Sequence, residues 1–84
     1  MDLSGAVITE HTAGQMARRQ VSEAEVRGVL ATPDEVALVR AGRVVVHGMI
    51  GMYLLRVLVD VDRVPAEVVT VYRTSKIDKY RSRP

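Results

Sequence analysis

M-Y-L-L-R-V-L-V-D-V, residues 52–61, is the stretch that decides the fold. Every odd-numbered position in it is apolar or aromatic, whereas the even-numbered positions include Arg56 and Asp60. A period of two indicates a β-strand whose two faces meet different surroundings. We therefore predict a central strand over residues 52–61 whose odd-numbered face packs on the core.

The chain on both sides of this strand has the same β-branched character. Residues 67–73 predict a following strand, and Pro65 places a turn between the two. Residues 36–40 and 43–48 predict two preceding strands, joined by a tight connection at Ala41-Gly42. Consecutive strands with short connections favour a four-stranded antiparallel meander.

Two helices are predicted before the strands. Thr9 is suited to cap a helix over residues 10–19, and Ser22 with Glu25 forms a capping-box pattern for a helix over residues 23–31. Pro33 disfavours helical geometry in the residue before it and ends the second helix. The expected fold class is α+β, with two N-terminal helices packed on the four-stranded antiparallel meander sheet and a basic C-terminal tail.

Composition limits the kind of protein. A chain of 84 residues that is 48% hydrophobic suits one domain over residues 1–84, and we expect residues 1–7 and 81–84 to be flexible. No cysteine is present, which excludes disulfides and thiol nucleophiles. The longest uncharged run is far below the roughly 20 residues of a membrane helix, and the first residues lack a signal-peptide pattern. We expect a cytoplasmic protein that does not enter a membrane.

The C-terminal segment is strongly basic. Between Arg73 and Pro84 the chain has five basic residues and one acidic residue, a local net charge of +4 against +2 for the whole chain. Such an asymmetry favours an anionic partner, of which nucleic acid is the commonest and RNA one form. The residues expected to contact it are Arg73, Thr74, Ser75, Lys76 and Lys79.

Metal and nucleotide cofactors are not expected. The two histidines, His11 and His47, lie on different elements and have no cysteine or histidine at ligand spacing. The chain also lacks the glycine-rich loops of phosphate-binding and dinucleotide-binding motifs. We therefore predict neither a metal site nor a cofactor.

Arg56 is the strongest candidate for chemistry, because a charge in an apolar strand has to face solvent or be paired. On the predicted sheet it shares a face with Tyr72, and the two could orient a phosphodiester. The alternative is a structural ion pair with Asp60 or Glu67.

His11 could move protons near neutral pH, or could simply bond to a neighbouring element. His47 is expected at a turn or on the strand surface.

Several motifs resemble an uncharacterised bacterial and cyanobacterial domain family of unknown function. They are H-T-A-G-Q-M-A-R-R-Q-V-S-E-A-E-V from residue 11, P-D-E-V from residue 33, G-R-V-V-V from residue 42, L-L-R-V-L-V-D from residue 54 and V-T-V-Y-R-T-S-K-I-D-K-Y from residue 69. The family pattern H-x-x-x-R-M-x-x-R matches His11, Met16 and Arg19, but Gln15 stands where the family has arginine.

That family in turn resembles the RelE/BrnT type of toxin, small metal-independent ribonucleases paired with antitoxins. The resemblance implies His11, Arg56 and Tyr72 as catalytic residues and adds Arg19 to the RNA-binding set. It also implies an antitoxin protein as a partner. The competing interpretation is a non-catalytic interaction module that binds a protein through a sheet edge, including a homodimer of this chain.

Overall fold

The computed structural model describes residues 2–80, which form a five-stranded sheet and three helices. None of these helices is long and apolar enough to cross a membrane. The elements in chain order are β1 (Val7–Ile8), α1 (Glu10–Arg18), α2 (Glu23–Ala31), β2 (Glu35–Arg40), β3 (Arg43–Ile50), β4 (Tyr53–Asp60), β5 (Glu67–Thr74) and α3 (Ile77–Tyr80).

The strand order is β1-β5-β4-β3-β2. Strands β2 to β5 form the predicted antiparallel meander. The prediction of four strands, all antiparallel, is wrong because β1 adds a parallel strand in which Val7 lies opposite Glu67 and Ile8 opposite Val68. Two residues are too short to produce a period in the sequence, so this strand could not be found by alternation.

The two predicted helices are present, with the predicted caps. The Thr9 side chain accepts a hydrogen bond from the backbone N–H of Thr12, and Ser22 and Glu25 form the full capping box. Helix α1 ends at Arg18, one residue earlier than predicted, and Gln20 then takes a positive φ of 59°. This left-handed residue turns the chain into α2.

The core lies between the helices and one face of the sheet, which we call the helix-side face. Helix α2 contributes Val26, Val29 and Leu30, and α1 contributes Met16. The sheet contributes residues that alternate along β3 and β4, as predicted for β4: Val44, Val46, Leu55, Val57 and Val59. In β5 a register shift against β4 brings Val68 and Val71, three residues apart, onto the same face.

The N-terminal segment packs on this core. We expected residues 1–7 to be flexible, but Leu3 and Ala6 are buried and Val7 begins β1. The Arg27 guanidinium donates hydrogen bonds to the carbonyls of Ser4 and Ala6, which joins the segment to α2. The matching expectation for residues 81–84 lies outside the described residues.

The opposite face of the sheet we call the second face. It carries the residues that alternate with the core positions, and two apolar ones, Val45 and Leu54, are buried there. Its polar members include Glu35, His47, Arg56, Asp60 and Tyr72. Helix α3 meets this face, because Tyr80 lies against Arg56.

Candidate functional site

Four polar residues form a row across the second face. Glu35 lies opposite His47, His47 opposite Arg56, and Arg56 opposite Tyr72, one on each strand from β2 to β5. Directly opposite residues of antiparallel strands point to the same face with Cβ atoms about 4.5–5.5 Å apart, so their side chains can touch in sequence. We call these four residues the cross-strand row.

The row is hydrogen-bonded from end to end. Glu35 Oε1 lies 3.0 Å from His47 Nδ1, and Arg56 Nε donates to His47 Nε2 at 3.1 Å. Arg56 Nη1 also donates to the Tyr72 hydroxyl. A guanidinium has no acceptor, so His47 Nε2 has to accept and Nδ1 carries the proton that is donated to Glu35. The arginine therefore fixes the tautomer of His47.

Arg56 is also held by two aromatic rings. Its Cζ atom lies 4.0 Å from the centre of the Tyr80 ring and 5.3 Å from that of Tyr72. The two rings meet edge to face, with centres 6.4 Å apart and planes at 77°. Within residues 2–80, Arg56 Nη2 makes no hydrogen bond. The guanidinium is therefore oriented by its Nε and Nη1 sides and keeps donors for another group.

The two phenols differ in acidity. Desolvation is the largest influence on Tyr72 and raises its pKa, although the Arg56 charge opposes this. Desolvation also acts on Tyr80, but the Lys79 charge and the hydrogen bonds from Lys79 and Tyr72 outweigh it and lower the pKa of Tyr80. Tyr72 therefore keeps its proton to a higher pH than Tyr80 does.

The alternative pairing of Arg56 with Asp60 does not occur. Arg43 makes two hydrogen bonds to the Asp60 carboxylate, at 2.6 and 3.2 Å, and Arg63 adds an ion pair at 3.3 Å. The hydrogen bond from Arg43 is the main reason that the pKa of Asp60 is lowered. Glu67 lies 3.8 Å from Arg63, so it too is paired elsewhere.

His47 was expected at a turn or on the strand surface, and this is wrong, since the residue is 2% exposed. The predicted strand ended at residue 48, but β3 continues to Ile50 and places His47 well inside the sheet. The glycine that follows suggested a turn. Its actual role is packing, because a Cβ atom on Gly48 would lie 2.7 Å from a methyl group of Val29 in α2.

His11 belongs to a different network, at the edge where α1 meets β5. It is exposed, and its Nε2 atom lies 3.3 Å from Gln15 Nε2. Thr70 donates to Gln15 Oε1, and Arg19 donates to the Thr70 hydroxyl and to the Val71 carbonyl. His11 is therefore not hydrogen-bonded to the Arg56–Tyr72 pair with which it was grouped.

Arg73 lies on the helix-side face, opposite Leu55 in the register. Its guanidinium donates to Gln20 Oε1 at 3.0 Å and lies 4.8 Å from the centre of the Tyr53 ring. Arg73, predicted to bind RNA, and Arg56, predicted to be catalytic, therefore lie on opposite faces of the sheet.

The other predicted contacts surround the start of α3. Thr74 is half-buried, and its hydroxyl accepts a hydrogen bond from the backbone N–H of Lys76 at 3.0 Å. Ser75, Lys76 and Lys79 are exposed, and the Lys79 ammonium lies 5.2 Å from the centre of the Tyr80 ring. This segment brings positive charge next to Tyr80, which lies against the Arg56–Tyr72 end of the cross-strand row.

Comparison with known proteins gave no match. No family model, no curated protein and no solved structure matches this chain. The resemblance to the uncharacterised family and to RelE/BrnT-type toxins stays a prediction from the motifs.

Two other kinds of site, a metal centre and a groove, are less suitable for the predicted anionic partner. Residues 2–80 contain no group of three or more histidine, cysteine, aspartate or glutamate side chains that could hold a metal ion. A groove of about 400 Å³ lies between α2 and β3, and its charged lining residues, Glu25 and Asp34, are both acidic. That groove does not suit an anionic ligand, which leaves the Arg56 end of the second face as the candidate site.

Proposed function

We propose that this domain binds single-stranded RNA or a related phosphate-bearing polymer on the second face, beside Arg56 and α3. The observation that supports this most directly is the guanidinium of Arg56. It is held by His47 and Tyr72 against the Tyr80 ring and retains donors at Nη2. An oriented guanidinium next to aromatic rings combines the phosphate recognition and base stacking that single-stranded RNA requires.

The charge around this site supports the same ligand. Lys76 and Lys79 are exposed, and the Lys79 ammonium lies 5.2 Å from the centre of the Tyr80 ring, which itself lies against Arg56. Exposed lysines contribute to affinity by displacing counterions from phosphates, without selecting a sequence. We therefore infer binding with little sequence preference and a strong dependence on salt.

Binding without cleavage is the form of this proposal that the geometry favours. His11 is in contact with Gln15 rather than with Arg56, and both ring nitrogens of His47 are already engaged. No histidine is thus presented to a phosphate held by Arg56. Metal-independent cleavage of RNA, a RelE/BrnT-like fold and pairing with an antitoxin remain the narrower proposal that the motif resemblance implies.

The test of RNA binding is fluorescence anisotropy with a labelled single-stranded RNA at several salt concentrations. Arg56→Met keeps an unbranched side chain between the rings but removes the donors, and we expect it to weaken binding at least about tenfold. Arg18→Gln removes the same charge from an exposed position of α1 and should weaken binding far less. Equal loss in the two variants, or no binding by the wild type at low salt, would refute the proposal.

The same preparations test cleavage. We expect the wild-type RNA to remain intact in the presence and absence of EDTA. Cleavage that resists EDTA, has a pH profile with a limb near the usual histidine pKa, and disappears in folded His11→Ala would instead establish the ribonuclease activity.

A further inference from the structure

Within residues 2–80, strand β2 is an open edge of the sheet. It pairs with β3 on one side, and no strand of these residues follows it in the order β1-β5-β4-β3-β2. Three of its apolar side chains are exposed, Val36 at 45%, Leu38 at 74% and Val39 at 48%. Val36 and Leu38 extend the helix-side face, since they lie opposite the core residues Val46 and Val44.

The other edge of the sheet is covered. Beyond the two residues paired with β1, the Val71 carbonyl of β5 accepts a hydrogen bond from Arg19. The Thr12 hydroxyl of α1 donates to the Val68 carbonyl. Proteins usually protect a bare edge with lysine, proline or a covering element, because its unpaired backbone groups otherwise pair with another strand. The sequence of β2, E-V-A-L-V-R, has neither lysine nor proline, and its one irregularity, between Leu38 and Arg40, lies at its end and leaves residues 35–38 regular.

We propose that β2 pairs with β2 of a second copy of this chain, antiparallel, about a two-fold axis perpendicular to the sheet. The axis passes beside Ala37, which lies opposite Ala37 of the partner subunit. Such an axis places the helices of both copies on the same side of the joined sheet. It also requires that two residues facing each other across the β2–β2 pair belong to the same face of the sheet, each in its own subunit. This register meets that requirement, because Val36 then faces the partner's Leu38 and both belong to the helix-side face.

The charges of β2 favour the same partner and the same direction. Asp34 and Glu35 stand at its beginning and Arg40 at its end. Antiparallel pairing of two copies places each acidic end beside the partner's basic end, whereas parallel pairing would place like charges together. The small side chain of Ala37 at the axis lets the two β2 backbones come close enough to form hydrogen bonds. The interface is short, below about 1,200 Å², so we infer a weak dimer rather than an obligate one.

Sedimentation equilibrium of the purified chain, from about 10 μM to about 1 mM, tests association. We expect a reversible dimer in the wild type. Leu38→Lys should weaken it at least about tenfold, because it places a charge in the centre of the interface. Met52→Lys is the matched control, since Met52 is also apolar and 85% exposed but lies at the turn between β3 and β4. It should leave the dimer unchanged.

Charge exchange tests the direction of pairing. Arg40→Glu should weaken the dimer by setting three acidic residues against one another, and the double variant Asp34→Lys/Arg40→Glu should recover most of the loss. A double variant that is weaker than Arg40→Glu alone would refute the antiparallel register.

Cross-linking tests the axis without weakening the interface. The chain has no cysteine, so Ala37→Cys introduces a single thiol per copy. Facing residues across antiparallel strands have Cα atoms about 4.5–5.5 Å apart, within the range that a disulfide spans. We expect Ala37→Cys to form a disulfide-linked dimer under mild oxidation and Val64→Cys, fully exposed elsewhere, not to do so. A wild type that stays monomeric at the highest concentration overturns the proposal, even if β2 binds an added extended peptide.

Discussion

Leu54 and Leu55 are neighbours in β4 and both are buried, yet they lie on opposite faces of the sheet. Leu55 belongs to the core formed with the helices, and Leu54 lies on the second face, in the same strand as Arg56. On the helix-side face, burial of apolar surface is the main stabilising term. On the second face a hydrogen-bonded row crosses four strands.

The difference matters because substitutions on the two faces destabilise the protein in different ways. An apolar core loses stability roughly in proportion to the contacts and volume removed. A polar row loses most when one member is removed, since its buried partner is then left without a hydrogen bond. The second face can therefore hold an oriented arginine for a ligand only as long as His47 and Tyr72 remain in place.

The largest expected effect comes from truncating the core. Leu55→Ala, at a position that is 1% exposed, should lower the free energy of unfolding by about 2–5 kcal/mol. The matched change Leu54→Ala should fall at the lower end of that range, because Leu54 is outside the main core cluster. Urea denaturation of both variants gives the comparison, and a larger loss for Leu54→Ala would show that the second face has the more extensive packing.

A smaller loss of stability is expected from a substitution at the contact between α2 and β3. Gly48→Ala should destabilise the fold by about 1–3 kcal/mol, because the added methyl group would lie 2.7 Å from Val29 and the helix has to move. Gly28→Ala is the control inside α2, where a Cβ atom meets nothing within 4 Å. It should stabilise the protein by about 0.5–1 kcal/mol through helix propensity. Thermal melting that ranks the two in the reverse order would contradict this account of the contact.

On the second face, Arg56→Met should lower the free energy of unfolding by about 1–3 kcal/mol, because the buried His47 Nε2 loses its donor. Adding His47→Leu should cost less than the sum of the two single changes if the row acts as a unit. Arg18→Met, at an exposed position of α1, should stay within about 0.5 kcal/mol of the wild type. Chemical denaturation of the wild type and of the four variants gives these free energies, and strictly additive losses would mean that the row is not coupled.

Much of the fold could be predicted from the sequence alone. The alternation of residues 52–61 identified the central strand and which of its faces packs on the core. The capping signals at Thr9 and Ser22 marked where both long helices begin. Local patterns of this kind depend on neighbouring residues and can be read from one chain.

The parts that were missed depend on register. Glu35, His47, Arg56 and Tyr72 are the polar positions that the strand pairing aligns, and a slip of one residue would separate them. Pairing the strands residue by residue outward from the two hairpin turns could have aligned these four residues. The predicted strand ended at residue 48, however, whereas β3 continues to Ile50, so the turn that follows it was misplaced. Tyr80 was grouped with a basic tail, whereas it belongs to a short helix that lies on Arg56.

The smallest expected effect is a change of stability with pH that occurs only in acid, and it concerns Asp60, also on the second face. The hydrogen bond from Arg43 lowers the pKa of this carboxylate in the folded protein, so its contribution is fully present above the unfolded pKa of about 3.9. It is lost as the pH falls through the lower, folded-state pKa. Asp60→Asn should therefore be less stable than the wild type at neutral pH, and the gap should close as the pH falls below about 4.

Urea midpoints measured from about pH 7 to about pH 2 test this closure. Asp62→Asn is the matched control, since it removes an exposed carboxylate near the same turn that lacks the hydrogen bonds from Arg43. Its stability relative to the wild type should change little over the same range. If the gap for Asp60→Asn stays constant down to the lowest pH, the Arg43–Asp60 pair does not respond to protonation and contributes through packing alone, which would make this end of the second face resemble the helix-side core.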